Sequence, residues 1–218
     1  MTTSEEKLYV TDPEKWLNDL TSNNDFVGIV IFRGSWCKYD KHYLQRLGDF
    51  SKNKMESQHL KLIAWTSEGA EGAKKADEEW SLTKDHGFSE VIGDDTCALA
   101  KYLVDDCLLE KLVTTPSPKD INVEELIKKQ NSPGTYPNGI VQPALLWYAH
   151  HGSLVLQWEA VVEQSSGFGG PNRPNPPDLF EQVLKRKHAL ELGEAVIPVH
   201  GSQLKQCTSD WDVNCSVM

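Results

Sequence analysis

No apolar run in this chain approaches the ~20 residues that a membrane-spanning helix requires. The first residues, Met1 to Lys7, are polar and acidic and lack the apolar core of a signal peptide. An excess of basic charge is missing as well: 22 Lys and Arg stand against 32 Asp and Glu, a net charge of −10. That balance argues against nucleic acid or an anionic membrane as partner and reads as ordinary solubility. Cysteine is sparse and odd in number: Cys37, Cys97, Cys107, Cys207 and Cys215. No two of them are spaced as a zinc-binding pair, so neither a structural metal nor a cofactor is expected. Thiols used this way point to a reducing, cytoplasmic compartment. Internal repeats and low-complexity tracts are also missing. At 218 residues the chain can bury a full core. The expected organisation is one domain over residues 1–192, carrying an insertion at 105–138, and a tail from 193 to 218.

What is present alternates between two periodicities. Asp12-Pro13-Glu14 reads as a helix start, with Trp16, Leu17 and Leu20 as its apolar face. Phe26 to Phe32 is a continuous apolar run, the mark of a buried strand. Residues 37–54 carry Tyr43, Leu44, Leu47 and Phe50 at helical spacing. His59 to Trp65 reads as a strand, Gly69 to Trp80 as a helix, Glu90 to Asp94 as a short strand, and Thr96 to Leu103 as a helix. The 105–138 stretch holds a helical piece at Val123 to Lys129 between Pro-rich turns. Gln142 to Tyr148 and Ser153 to Trp158 form an antiparallel hairpin, turning at His151-Gly152. A Gly- and Pro-rich loop, Ser165 to Pro177, leads to a last helix from Asp178 to Leu192. The tail is aperiodic and reads as mobile. The order β-α-β-α-β-α, then β-β-α, predicts a mixed sheet with helices on both faces.

One segment carries chemistry: Phe32-Arg33-Gly34-Ser35-Trp36-Cys37-Lys38-Tyr39-Asp40. A strand delivers a Trp-Cys pair to the start of a helix. Helix N-termini carry partial positive charge and free N–H groups, so they favour thiolate over thiol. The Cys37 pKa is expected below the free value of ~8.5 for that reason. Arg33 and Lys38 would push it the same way, and Asp40, one turn into the helix, the other. Asp40 reads either as a proton acceptor for a thiol or as an acid favoured by the first helical turn. Trp36 covers the thiol or packs on the sheet. Tyr39 donates a hydrogen bond into the site or lies on the surface. Cys97 and Cys107 flank a helix and read as structural. Cys207 and Cys215 are either resolving partners for Cys37 or incidental thiols. His150-His151 reads as a solvated turn.

Three segments resemble the peroxiredoxin-like alkyl hydroperoxide reductase/thiol-specific antioxidant families. Phe32 to Cys37 looks like their F-R-G-x-W-C entry. Ala64 to Glu68, Val91 to Asp94 and Leu99 to Leu103 are similar to their strand, helix and "GD…LA" helix. Gln142-Pro143-Ala144-Leu145-Leu146 sits where thioredoxin-fold proteins carry a cis-proline before the hairpin. The resemblance spans about residues 24–190 and implies an α/β, thioredoxin-like fold with an insertion before the cis-proline hairpin. It also implies a cis Gln142–Pro143 bond beside the thiol, with Gln142 exposing backbone groups to substrate. Arg173 lies in a segment resembling "GA-x-x-R-P". It would hold an anionic group near Cys37 or anchor the loop by an ion pair.

The implied activity is a single-cysteine thiol oxidoreductase that reduces a peroxide or disulfide through Cys37. Asp40 would assist, and Trp36, Lys38, Tyr39, Gln142, Pro143 and Arg173 would contact substrate. An external thiol, glutathione or a thioredoxin-like protein, would be the reductant, and the family leads one to expect a homodimer. The chain departs from the family in two ways. The usual threonine three residues before the cysteine is Gly34, and the usual proline seven before it is Val30. The second cysteine that thioredoxin-like active sites carry three residues on is missing as well, and Asp40 stands there. Two further readings therefore stay open. One is a non-redox transformation of a small molecule in the Cys37/Asp40 pocket. The other is a non-catalytic binding module.

Overall fold

A computed structural model describes residues 8–105, 109, 113–114, 132–133, 136–150, 152–160 and 173–207. Cys107, Cys215, His151 and the expected helix at Val123 to Lys129 lie outside the described residues. The chain opens with a single helical turn, α1 (Leu8–Thr11), and then α2 (Pro13–Ser22). The Asp12 side chain caps α2 by accepting the Lys15 N–H at 3.0 Å, and Pro13 starts it without a lost donor. There follow β1 (Phe26–Phe32), α3 (Lys38–Gln58), β2 (Leu60–Thr66), α4 (Gly69–Trp80) and the short α5 (Leu82–Asp85). Next come β3 (Glu90–Gly93), α6 (Ala98–Asp105), β4 (Val113–Thr114), β5 (Ile140–Val141), β6 (Ala144–Ala149) and β7 (Ser153–Glu159). The chain closes with α7 (Pro176–Glu191) and β8 (Val199–His200).

Six strands form the main sheet in the order β3-β2-β1-β6-β7-β8. β1 is central, parallel to β2 and antiparallel to β6. Its seven residues are all buried because both faces are covered. Alternation divides them. Phe26, Val30 and Phe32 join Tyr43, Leu44 and Leu47 of α3, Trp80 of α4, and Leu179, Phe180 and Val183 of α7. Val27, Ile29 and Ile31 face Tyr9, Leu17 and Leu20 of α1 and α2, and Leu99, Ala100 and Leu103 of α6. Gly28 is required by close approach: a Cβ there would meet Leu62 Cδ1 and the Trp147 ring, both at 2.9 Å. The expected mixed sheet flanked by helices on both faces is therefore present.

Two expectations change. The tail is more than an aperiodic extension. Val199–His200 pairs in parallel with Leu156 and Gln157 of β7, and Gly201 lies against Trp158. The second change is at Pro143. No cis peptide bond occurs among the described residues, so Gln142–Pro143 is trans. The reason is local. Gln142 and Pro143 link two extended segments, β5 and β6, with no reversal between them, and the trans form is the one an X–Pro bond prefers by about 0.5–1 kcal/mol. The Pro143 carbonyl accepts the Ala160 N–H at 2.8 Å, which ties the link to the end of β7.

Topology brings four strand ends together. β1 and β2 run parallel, so Arg33 and Glu68 emerge on the same side. β6 is antiparallel, so its start, behind Gln142, lies at that side too. β7 returns there, with Glu159 opposite Ala144. The site is built from these four ends.

Candidate functional site

Cys37 directly precedes α3, whose first residue is Lys38. Its N–H donates to the Gly34 carbonyl at 3.0 Å, which closes the turn after β1, and its carbonyl accepts the Lys41 N–H at 3.0 Å. The sulfur takes the backbone N–H of Asp40, as an N-cap side chain does. Arg33 Nη1 approaches Sγ at 3.6 Å, and Arg33 Nη2 donates to Gln142 Oε1 at 3.4 Å. The thiol therefore sits in the field of a guanidinium that Gln142 helps to hold.

The second cation is Arg173. It forms a buried ion pair with Asp40, each side chain 1% exposed, and its guanidinium lies 5.7 Å from the Tyr43 ring centroid. Asp40 also accepts the Arg33 N–H at 3.0 Å. Both Asp40 oxygens are thus engaged in holding the turn and the loop. Burial works against the Arg173 charge, yet Asp40 and the neighbouring Cys37 hold its pKa above the ordinary value. The Arg173 carbonyl in turn accepts the Cys207 N–H at 2.7 Å, and Tyr43 donates to the Pro174 carbonyl at 3.1 Å.

The expected depressed pKa of Cys37 is not what this conformation has. Cys37 is 4% exposed, and its pKa is pushed up to about 11. Burial is the largest cause and the Asp40 charge the next; Arg33, Arg173 and the Asp40 N–H pull the other way without prevailing. Lys38 gives no help. It is exposed, with its ammonium 5.2 Å from the Tyr39 ring centroid. Its place as the second cation near the sulfur is taken by Arg173, 135 residues further along the chain.

Other groups close the site, and of these Ile140, Tyr136 and the Glu68 carboxylate were not singled out by the sequence. Trp36, Cys37 and Ile140 form a small apolar cluster with Tyr39 and Tyr136 packed on it. Trp36 Nε1 donates to Tyr136 Oη at 2.7 Å, and that hydroxyl donates to the Arg33 carbonyl at 3.2 Å. A Cβ on Gly34 would lie 2.2 Å from Tyr136 Oη, so the space a side chain at 34 would need is already filled. Glu68 is buried. Its carboxylate accepts the Ser35 N–H, the Ser35 hydroxyl at 2.9 Å and the Ser132 hydroxyl. Parallel pairing of β1 with β2 was the available signal for Glu68, two residues past the strand. Nothing in the sequence marked Tyr136.

The structure thus gathers Cys37, Asp40, Arg173 and Gln142, with Trp36 over them. Pro143 is buried and Tyr39 borders the cluster, while Lys38 faces outward. Cys97 lies elsewhere, its thiol 3.7 Å from the Gly139 carbonyl. Among the described residues no group of three or more His, Cys, Asp or Glu side chains could hold a metal ion. Nor is any of their helices long and apolar enough to cross a membrane.

No protein-family model and no curated protein matches this chain. Solved structures do. AhpC from Enterococcus faecalis superposes with a TM-score of 0.50 at 10% identity, covering 80% of this chain and 81% of that one. A cysteine-to-serine mutant of peroxiredoxin 6 from Arenicola marina has a TM-score of 0.47 at 16% identity, covering 81% of this chain. This chain spans only 65% of that relative's length. The yeast mitochondrial 1-Cys peroxiredoxin, solved for its thiol resolving mechanism, has a TM-score of 0.46 at 16% identity, covering 84% of this chain and 72% of that one. At such identities the likeness speaks to architecture alone. The chain has a thioredoxin-like fold, similar in architecture to these solved structures.

Proposed function

We propose that this protein is a thiol peroxidase of the peroxiredoxin-like type, with Cys37 as its single reacting thiol. The observation that carries the reading is the placing of Cys37 at the cap of α3 with Arg33 Nη1 3.6 Å from the sulfur. Thiolate is the nucleophile in such chemistry, and Arg33, Arg173 and the Asp40 N–H all stabilise it. The thiolate attacks one peroxide oxygen and the O–O bond breaks. Sulfur is oxidised to sulfenic acid and the peroxide leaves as an alcohol or water after taking a proton. An external thiol, glutathione or a thioredoxin-like protein, then displaces water to give a mixed disulfide, and a second thiol restores Cys37. Asp40 serves this scheme as the anchor of Arg173 rather than as the proton acceptor, because both its oxygens already accept hydrogen bonds.

Trapping of sulfenic acid at Cys37 by dimedone after mild peroxide tests the proposal. The expected outcome is a Cys37 adduct in the native chain and loss of peroxide consumption in Cys37→Ser. Unchanged consumption in that variant would refute it. One observation favours a second reading, a binding module: the thiol is 4% exposed, and that burial raises its pKa. No sulfenic acid formed at native Cys37 after peroxide treatment would decide for that reading.

A further inference from the structure

Cys37 is buried, and its cover carries polar fastenings. Trp36 and Ile140 share one apolar cluster with Cys37, and Tyr136 packs against it. Their polar atoms meet each other: Trp36 Nε1 on Tyr136 Oη at 2.7 Å, and Tyr136 Oη on the Arg33 carbonyl at 3.2 Å. Beneath them the buried Glu68 carboxylate holds Ser35 of the thiol turn and Ser132, four residues before Tyr136. Ser132 also hydrogen-bonds the Tyr136 side chain. One carboxylate therefore ties the turn that presents Cys37 to the segment that roofs it. The packing under the roof is close, since even a Cβ on Gly34 would strike Tyr136 Oη.

We infer that Glu68 and Tyr136 act as a latch that holds an aromatic roof shut over Cys37, and that the thiol reacts at its full rate only when the latch is released. Two consequences of opening work together. A substrate or reductant reaches the sulfur, and the burial that most disfavours its ionisation is removed, while Arg33 and the Asp40 N–H remain to favour it. The observed rate of a covered group scales with the fraction of molecules in the open state, so weakening the latch raises the rate. Glu68 and Tyr136 are positioning residues, acting on Cys37 through the roof. The inference rests on Cys37 as the reacting thiol of the proposed function, but its test reads alkylation and not peroxide turnover, so either can fail without the other.

The experiment is site-resolved mass spectrometry of iodoacetamide labelling at neutral pH, followed at Cys37 and, as an internal reference, at Cys97. The native chain, Tyr136→Phe, Ser132→Ala and Glu68→Gln are compared with the urea-unfolded native chain. Native Cys37 is expected to label far more slowly than in the unfolded chain. Tyr136→Phe strips Trp36 Nε1 of its acceptor and should speed Cys37 labelling about tenfold, equivalent to ~1.4 kcal/mol in the opening equilibrium. Ser132→Ala should speed it less, and it carries the test should Glu68→Gln fail to fold. The midpoint of the labelling-pH profile should fall in Tyr136→Phe, a change that loosened packing remote from the sulfur would not make. Three results would overturn the inference: native Cys37 labelling at the unfolded rate, Tyr136→Phe labelling at the native rate, or Cys97 labelling rising in step with Cys37.

Discussion

At the scale of single residues, the Asp40–Arg173 pair decides the most. Both side chains are 1% exposed, so each charge depends on the other. Removing one partner leaves an uncompensated buried charge, which typically costs about 3–5 kcal/mol. Asp40→Ala is therefore expected to lower stability by about that amount in urea unfolding. Asp40→Asn keeps an acceptor for the Arg33 N–H and should lose less. A loss below about 1 kcal/mol in Asp40→Ala would show the pair to be screened by solvent. The segment Arg33 to Asp40 was legible as a site because a strand, a cysteine and a helix start follow one another in the chain. Arg173 was legible only as a candidate. The two roles open to it, anion holder and loop anchor, turn on what lies across the fold, and local sequence holds no record of that. Its partner proved to be Asp40. The same limit hid Tyr136 and Glu68, whose contacts with the site span 100 and 33 residues.

At the scale of elements, β1 shows why the architecture was readable. Its seven consecutive apolar residues mark a strand covered on both faces, and the structure buries all seven. The helices flanking it followed from 3.6-residue periodicity and from the Asp12-Pro13 cap. Gly28 tests the packing of that strand. A valine there would meet Leu62 and the Trp147 ring, with the nearest atoms at 2.9 Å even for a Cβ alone. Gly28→Val is expected to destabilise by about 1–3 kcal/mol, seen as an earlier thermal unfolding midpoint. An unchanged midpoint would mean that Trp147 has room to turn aside. The expectation for Pro143 failed at this same scale. It was taken from resemblance, whereas the extended segments on either side of the bond require no bend. The tail went unread because β8 is two residues long, too short for any period to register.

At the scale of the whole molecule, alkaline pH should unfold the protein through its buried thiols. Burial pushes Cys37 and Cys97 from 9.0 up to about 11 and also raises Cys207. Between those values the unfolded chain gives up thiol protons that the folded chain retains. Stability is thus fully present below pH 9 and is lost as pH climbs through about 11. For a single thiol with a shift of this size the loss approaches roughly 2–3 kcal/mol. Urea unfolding midpoints measured from pH 8 to 11 should fall, and fall less steeply in Cys97→Ser; equal slopes in the two proteins would exclude Cys97 as a source. The tail shapes the molecule's outer margin in a different way. Its β8 occupies the rim of the sheet alongside β7, and its next residues reach back so that the Cys207 N–H grips the Arg173 carbonyl. A second chain seeking to pair with β7 on that flank must first displace β8. In doing so it would tug on the loop that supplies the counter-charge for Asp40, so crowding at the rim and chemistry at the centre would be felt through one short strap.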